Sequence, residues 1–134
     1  MTWKIERVPG DGLDLDEVLT VYRESGLGER RPIEDRERFA AMLRGANLVV
    51  VCRTEEGRLI GIARSVSDFS YVTYLSDIAV SADFQRAGIG RALIAGTQAE
   101  TPGVKIVLLS APAAVDYYPH LGFTRHESAW MLQP

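Results

Sequence analysis

The sequence predicts an α/β domain in which a mixed, mostly antiparallel central sheet of about six to seven strands is flanked by about four helices. Short runs of apolar residues, alternating or continuous, recur between turns rich in Gly and Pro, which is the pattern of strands. Between them stand segments whose apolar residues are spaced by three and four, the pattern of amphipathic helices. From Tyr71 to Ser110 a strand, a Gly-containing turn, a helix and another strand follow in direct succession, which is a crossover unit.

Each element has its own signal. Trp3 to Val8 alternates bulky apolar with polar residues and stops at Pro9-Gly10-Asp11-Gly12, so it reads as a first strand. Leu15, Val18, Leu19 and Tyr22 mark a first helix, with Asp14 and Asp16 near its positive end and Ser25-Gly26 as its stop. Phe39, Met42 and Leu43 mark a second, charge-rich helix closed by Gly45. Asn47 to Thr54 and Arg58 to Ser67 read as two strands joined through Glu55-Glu56-Gly57, followed by a fourth from Tyr71 to Val80. Gly88 to Gln98 carries a helical face at Ile89, Leu93 and Ile94, and Thr101-Pro102-Gly103 breaks the chain before a strand from Lys105 to Ser110. Ala113 to His120 is expected to be a short helix, and Phe123 to Leu132 the final strand.

With 134 residues, 46% of them hydrophobic, the chain fits a single domain over 1–134 with a core of its own. A net charge of -3 argues against a general nucleic-acid binder, which normally carries a basic surplus. No segment approaches the length of a membrane span, and Met1 to Glu6 lacks the apolar core of a signal peptide, so a cytoplasmic protein without membrane contact is expected. The single cysteine, Cys52, lies in the apolar run that begins at Leu48 and reads as a core residue. One Cys and two His without ligand spacing predict no metal site.

The stretch from Asp77 to Ile94 is the most informative. Backbone N–H groups at a helix start have no partner within the helix, and with the helix dipole they suit an anion such as a pyrophosphate. Gly88 and Gly90 clear side chains from that turn, and Arg86 and Arg91 add positive charge. The dinucleotide fingerprint is a competing reading, but Leu93 stands where its third glycine belongs and the turn comes late in the chain; the phosphate-loop signature is absent.

Gln85-Arg86-Ala87-Gly88-Ile89-Gly90 after a strand, together with Tyr117-Tyr118 shortly before Gly122-Phe123, resembles the Gcn5-related N-acetyltransferase (GNAT) family over most of the chain. The resemblance implies the acyl-CoA N-acyltransferase fold. It also implies acetyl-CoA as co-substrate, no metal, and direct attack of a primary amine, on a small molecule or a peptide, within a ternary complex. The turn Gln85, Arg86, Ala87, Gly88, Ile89 and Gly90, with Arg91 beside it, would hold the pyrophosphate. Ile78, Ala79 and Val80 would pair with the pantetheine arm, the Val80 N–H polarising the thioester carbonyl. Tyr118 matches the residue that protonates the departing thiolate.

Asp77 is the candidate base on the fourth strand, an acid in an apolar stretch; the equal alternative is a structural acid paired with an arginine such as Arg64. Some relatives carry a glutamate where this chain has Tyr74, and many carry an asparagine where it has Ala111. His120 is the other titratable residue of suitable pKa, but the resemblance implies that it faces away from the thiol, and His126 in the last strand has no better claim. The acceptor is expected on the side of Arg30, Arg31, Asp68, Phe69, Ser70, Tyr71 and Tyr74, where the arginine pair suits a carboxylate or phosphate on a small amine and a solvated loop is the plain alternative. A coenzyme-binding regulatory module without turnover and a nucleotide-phosphate binder of another kind are the competing functions. Phe123 to Leu132, with Trp130 and Met131, is a candidate edge for a homodimer, a reading drawn partly from the resemblance.

Overall fold

The computed structural model describes residues 2–134; Met1, with which the sequence begins, lies outside them. Strand β1 (Trp3–Val8) leads through a 3-10 turn to helix α1 (Leu15–Ser25) and, after a second 3-10 turn at Leu27–Arg30, to helix α2 (Arg36–Gly45). Strands β2 (Leu48–Thr54), β3 (Leu59–Ser67) and β4 (Val72–Val80) follow, then helix α3 (Ile89–Glu100) and strand β5 (Lys105–Val107). The sheet order is β1-β2-β3-β4-β5; β4 and β5 run parallel and every other pair antiparallel.

Local chemistry sets the helix ends. Asp14 accepts a hydrogen bond from the Glu17 N–H at 3.2 Å, and Asp35 one from the Arg38 N–H at 3.1 Å, so each helix start has a carboxylate on an otherwise free donor. Gly26 ends α1 in the left-handed conformation at φ 87°.

The continuous apolar run of β2 is explained by burial on both faces. Val49 and Val51 join Val18, Leu19, Tyr22, Phe39 and Leu43 beneath α1 and α2. Leu48, Val50 and Cys52 join Ile89, Leu93 and Ile94 beneath α3. The central strands are thus clamped between two cores and form a rigid floor.

The C-terminal third departs from expectation. Among the described residues the sheet has five strands and there are three α-helices, against six to seven and four expected. The expected helix from Ala113 to His120 is two 3-10 turns, Pro112–Ala114 and Tyr118–Leu121. Pro119 falls inside the expected helix, where it supplies no N–H to continue a helical ladder. Phe123 to Leu132 has the apolar content of a strand but pairs with no strand among the described residues, and Trp130 and Leu132 are 95% and 97% exposed. No helix among the described residues is long and apolar enough to cross a membrane.

Candidate active site

The site begins with an irregularity in β4. Arg64 of β3 pairs with Asp77, but Ser65 pairs with Leu75, so Ser76 is an extra residue on β4. Such a bulge bends its strand. Three side chains hold the bend. Arg31 donates from Nε to Asp77 Oδ1 at 2.6 Å and from a terminal nitrogen to the Ser76 carbonyl at 2.9 Å. Arg64 donates from Nε to Asp77 Oδ2 at 2.6 Å and from a terminal nitrogen to Ser76 Oγ at 2.8 Å. The Tyr22 hydroxyl of α1 donates to Asp77 Oδ2 at 2.7 Å.

Asp77 is therefore buried and fully engaged. Burial alone would raise its carboxyl pKa, but the hydrogen bond and charge of Arg64, the Tyr22 hydroxyl and the charge of Arg31 outweigh that and hold it below the usual range. A carboxylate depressed in this way is a weak proton acceptor and a strong anchor. Asp77→Asn should destabilise the domain by about 3 kcal/mol, because it leaves two arginines without their counter-charge. The stabilisation is complete above about pH 4, where the unfolded carboxylate is ionised, and is lost as pH falls through the lower folded value. Chemical denaturation across pH 2 to 7 should accordingly show a steeper acid loss in the wild type than in the variant.

Beyond the bulge the sheet opens. β4 and β5 pair only from Val72↔Lys105 to Tyr74↔Val107, while β4 continues to Val80 without a neighbour on that side. A cleft of about 770 Å³ occupies the opening, lined by Leu75, Ser76, Ile78, Ala79 and Val80 on one side and Leu108 and Leu109 on the other. It reaches from the end of α1 to the start of α3.

At the α3 end, Gln85 donates from Nε2 to the Val80 carbonyl at 3.0 Å, closing the turn between β4 and α3. Arg86 (φ 66°) and Gly88 (φ 84°) both take left-handed backbone conformations, a strain in a non-glycine residue of the kind found at ligand-binding turns. The first hydrogen bond into α3 joins the Ala92 N–H to the Gly88 carbonyl, so the amides of Ile89, Gly90 and Arg91 have no partner within the helix, and no acidic side chain stands in its first turn. Arg91 also donates to the His120 carbonyl at 3.2 Å, tying the helix start to the C-terminal turn. A Cβ at Gly90 would lie 2.8 Å from the Tyr117 hydroxyl, so the missing side chain admits Tyr117 over the helix start.

Tyr118 is half-buried on the opposite wall, edge-on to Tyr117 (ring centroids 5.3 Å apart) and to Phe123 (5.5 Å). Burial, and then the neighbouring Tyr117, push its phenol above 10. It is protonated at neutral pH.

Ile78, Ala79, Val80, Gln85, Arg86, Gly88, Ile89, Gly90, Arg91 and Tyr118 all line this one cleft; Ala87 and Asp77 do not. Arg30, Arg31, Ala111 and His120 also line it, whereas Asp68, Phe69, Ser70, Tyr71, Tyr74 and His126 lie outside. Asp68 organises the β3–β4 turn instead, accepting from the amides of Ser70, Tyr71 and Val72. The Tyr71 ring lies beneath the Lys105 ammonium, 3.8 Å from its centroid. The sequence does not mark Ser76 or Tyr117 as site residues: a bulge residue carries no local signal, and what brings Tyr117 to the site is the position of its hydroxyl over Gly90. Among the described residues no cluster of His, Cys, Asp and Glu is arranged to hold a metal.

A mixed sheet whose last, parallel strand pair opens along a bulged strand toward a Gly-containing helix start defines the acyl-CoA N-acyltransferase class of fold. The chain belongs to the GNAT family: the family model described as "Acetyltransferase (GNAT) domain" matches residues 18–130. It is 38% identical over 68 residues to an uncharacterised N-acetyltransferase, ycf52, of Gracilaria tenuistipitata var. liui, covering 48% of this chain and 37% of that protein. It is 30% identical over 107 residues to the histone acetyltransferase TAP1 of Glycine max, covering 70% of this chain and 45% of that protein. The chain thus spans less than half the length of these relatives. Among solved structures, a GNAT-family acetyltransferase from Streptococcus pneumoniae TIGR4 superposes with a TM-score of 0.74 at 18% identity, covering 99% of this chain and 100% of that one. The aminoglycoside acetyltransferase meta-AAC0020, from an uncultured soil metagenomic sample, does so at 0.69 and 26%, covering 98% and 95%.

Proposed function

We propose that this domain transfers the acetyl group of acetyl-CoA to a primary amine by direct attack within a ternary complex. The observation that carries this reading is the open β4 edge ending at an uncapped helix start in a single cleft. Such an edge supplies unpaired backbone groups to an amide-bearing pantetheine arm, as an added strand would, and the helix start supplies N–H groups to the pyrophosphate. A solved neighbour, the aminoglycoside N-acetyltransferase AAC(6')-Iy, is a complex with CoA; at 17% identity it speaks for the fold.

In the proposed chemistry the amine lone pair attacks the thioester carbonyl carbon while the Val80 N–H stabilises the oxygen that gains charge. The attacking nitrogen sheds a proton to water, the C–S bond breaks, and the departing thiolate meets the Tyr118 hydroxyl. With its phenol above 10 and an ordinary thiol near 8.5, Tyr118 serves best as a proton-holding donor to the sulfur throughout the neutral range. A covalent acetyl-cysteine route has no support: Cys52 is the only cysteine, is fully buried within the sheet, and has its thiol pushed up to about 11 by burial.

Asp77 acts in this scheme as the anchor of the β4 bulge. The residual activity of Asp77→Asn should keep the wild-type dependence of rate on pH; loss of the acidic limb of that profile would instead mark Asp77 as the base.

To test the function, acetyl-CoA with an isotopically labelled acetyl group is incubated with the protein and a mixture of primary amines, and the label is followed by mass spectrometry. Label in an amide product supports acetyl transfer. Binding without any transfer would leave a coenzyme-binding module. Self-association belongs to the same proposal: the exposed Trp130 and Leu132 and the unpaired outer edge of β5 offer a second copy of this chain an apolar contact.

A further inference from the structure

We propose that the amine accepted at this site carries an anionic oxygen group, a carboxylate or a phosphate, and that Arg30 is the side chain that holds it. The proposal rests on the acetyl-transfer reading above and deepens it.

The charge lining the cleft is of one sign. Arg30, Arg31, Arg86 and Arg91 line it, and no aspartate or glutamate does. Arg86 and Arg91 flank the helix start at which the coenzyme's phosphates are placed. Arg30 and Arg31 stand at the other end, after α1, and no part of the coenzyme accounts for them.

Arg31 is committed. Its Nε binds Asp77, one terminal nitrogen binds the Ser76 carbonyl, and the other donates to the Arg30 carbonyl at 2.8 Å. That last bond fixes the backbone from which the Arg30 side chain projects. Asp77 is shared by Arg31 and Arg64, each on a different carboxylate oxygen, so the three side chains together carry one uncompensated positive charge. Arg30 adds a second. Its guanidinium is exposed and makes no ion pair or side-chain hydrogen bond among the described residues. The acids near it in sequence do not neutralise it at the cleft: Glu24 pairs with Arg58 at 3.5 Å, and Glu29, Glu34 and Asp35 are exposed and do not line the cavity.

A free guanidinium is a planar fork that matches a carboxylate or phosphate with two parallel hydrogen bonds. Positive potential focused in a cleft attracts such anions and repels polycations. Two of the proteins that share this fold are aminoglycoside acetyltransferases. A polycationic amine of that kind would meet only like charge in this cavity, so the fold is shared while the charge demanded of the acceptor is opposite.

The test compares turnover, by release of free coenzyme thiol, for L-amino acids, phosphoethanolamine, the corresponding amino-acid amides, and spermidine. The expected result is turnover of the amino acids or of phosphoethanolamine, whichever is preferred identifying the anion, with kcat/KM for amides and spermidine lower by at least about tenfold. Arg30→Ala should raise KM for the preferred acceptor on the order of 10- to 100-fold with kcat nearly unchanged, and Arg30→Lys should recover part of it. Acetyl-CoA affinity, measured by calorimetry on the same variants, should stay at the wild-type value. Equal use of amides or spermidine, no use of any amine by protein that binds acetyl-CoA, or an unchanged KM in Arg30→Ala would overturn the assignment. Failure of the wild type to bind acetyl-CoA would overturn the acetyl-transfer reading itself, and this assignment with it.

Discussion

Gly88→Glu should weaken acetyl-CoA binding by on the order of 100-fold, equivalent to about 2.7 kcal/mol. Two effects combine. Gly88 takes φ 84°, a conformation that costs an ordinary side chain about 1–2 kcal/mol. A glutamate there also places a negative charge at the positive end of α3, against the phosphates the turn is proposed to hold. Crowding contributes nothing, because a Cβ at Gly88 meets no atom within 4 Å. Gly88→Asn separates the terms: asparagine tolerates the left-handed region and carries no charge, so it should stay within about tenfold of wild type. Calorimetric titration of both variants reads this directly. Wild-type affinity in Gly88→Glu would mean that the phosphates lie elsewhere.

Tyr118→Phe should lower kcat by about 100-fold or more while leaving acetyl-CoA affinity nearly unchanged. Phenylalanine keeps the edge-on packing against Tyr117 and Phe123 and removes only the hydroxyl. Because burial pushes the phenol above its ordinary range, the wild-type rate should show no loss from Tyr118 ionisation across the neutral range. Tyr117→Phe provides the contrast. Its hydroxyl reaches over Gly90 rather than toward the Phe123 side of the cleft, so its loss should act on coenzyme affinity more than on kcat. A full rate in Tyr118→Phe would remove this residue from the proton path.

What the sequence made legible follows from where the information is local. The start and stop of α1 are written in Asp14 and Ser25-Gly26, and the burial of β2 on both faces in an unbroken apolar run. The turn from Gln85 to Gly90 was readable because left-handed backbone and a side-chain-free helix start both call for glycine at fixed positions. The Asp77–Arg64 pair was half legible: an acid inside an apolar strand needs a partner, and the cross-strand neighbour supplies it. Arg31, 46 positions away in the chain, carries no such mark, and neither does the bulge at Ser76 that it fixes. The C-terminal third misled for a related reason. Phe123 to Leu132 has apolar residues enough for a strand, but a strand also needs a partner edge, and the residues after Val107 are not paired to provide one. Pro119, visible in the sequence, is what interrupts the expected last helix.

The central claim is that the opening between β4 and β5 is a coenzyme site, and calorimetric titration of the wild-type protein with acetyl-CoA tests it most directly. The account predicts saturable binding at one site per chain, and competition by CoA, which shares the pyrophosphate and pantetheine arm. A well-folded protein that takes up no heat-detectable acetyl-CoA, or whose binding is untouched by CoA, would contradict it.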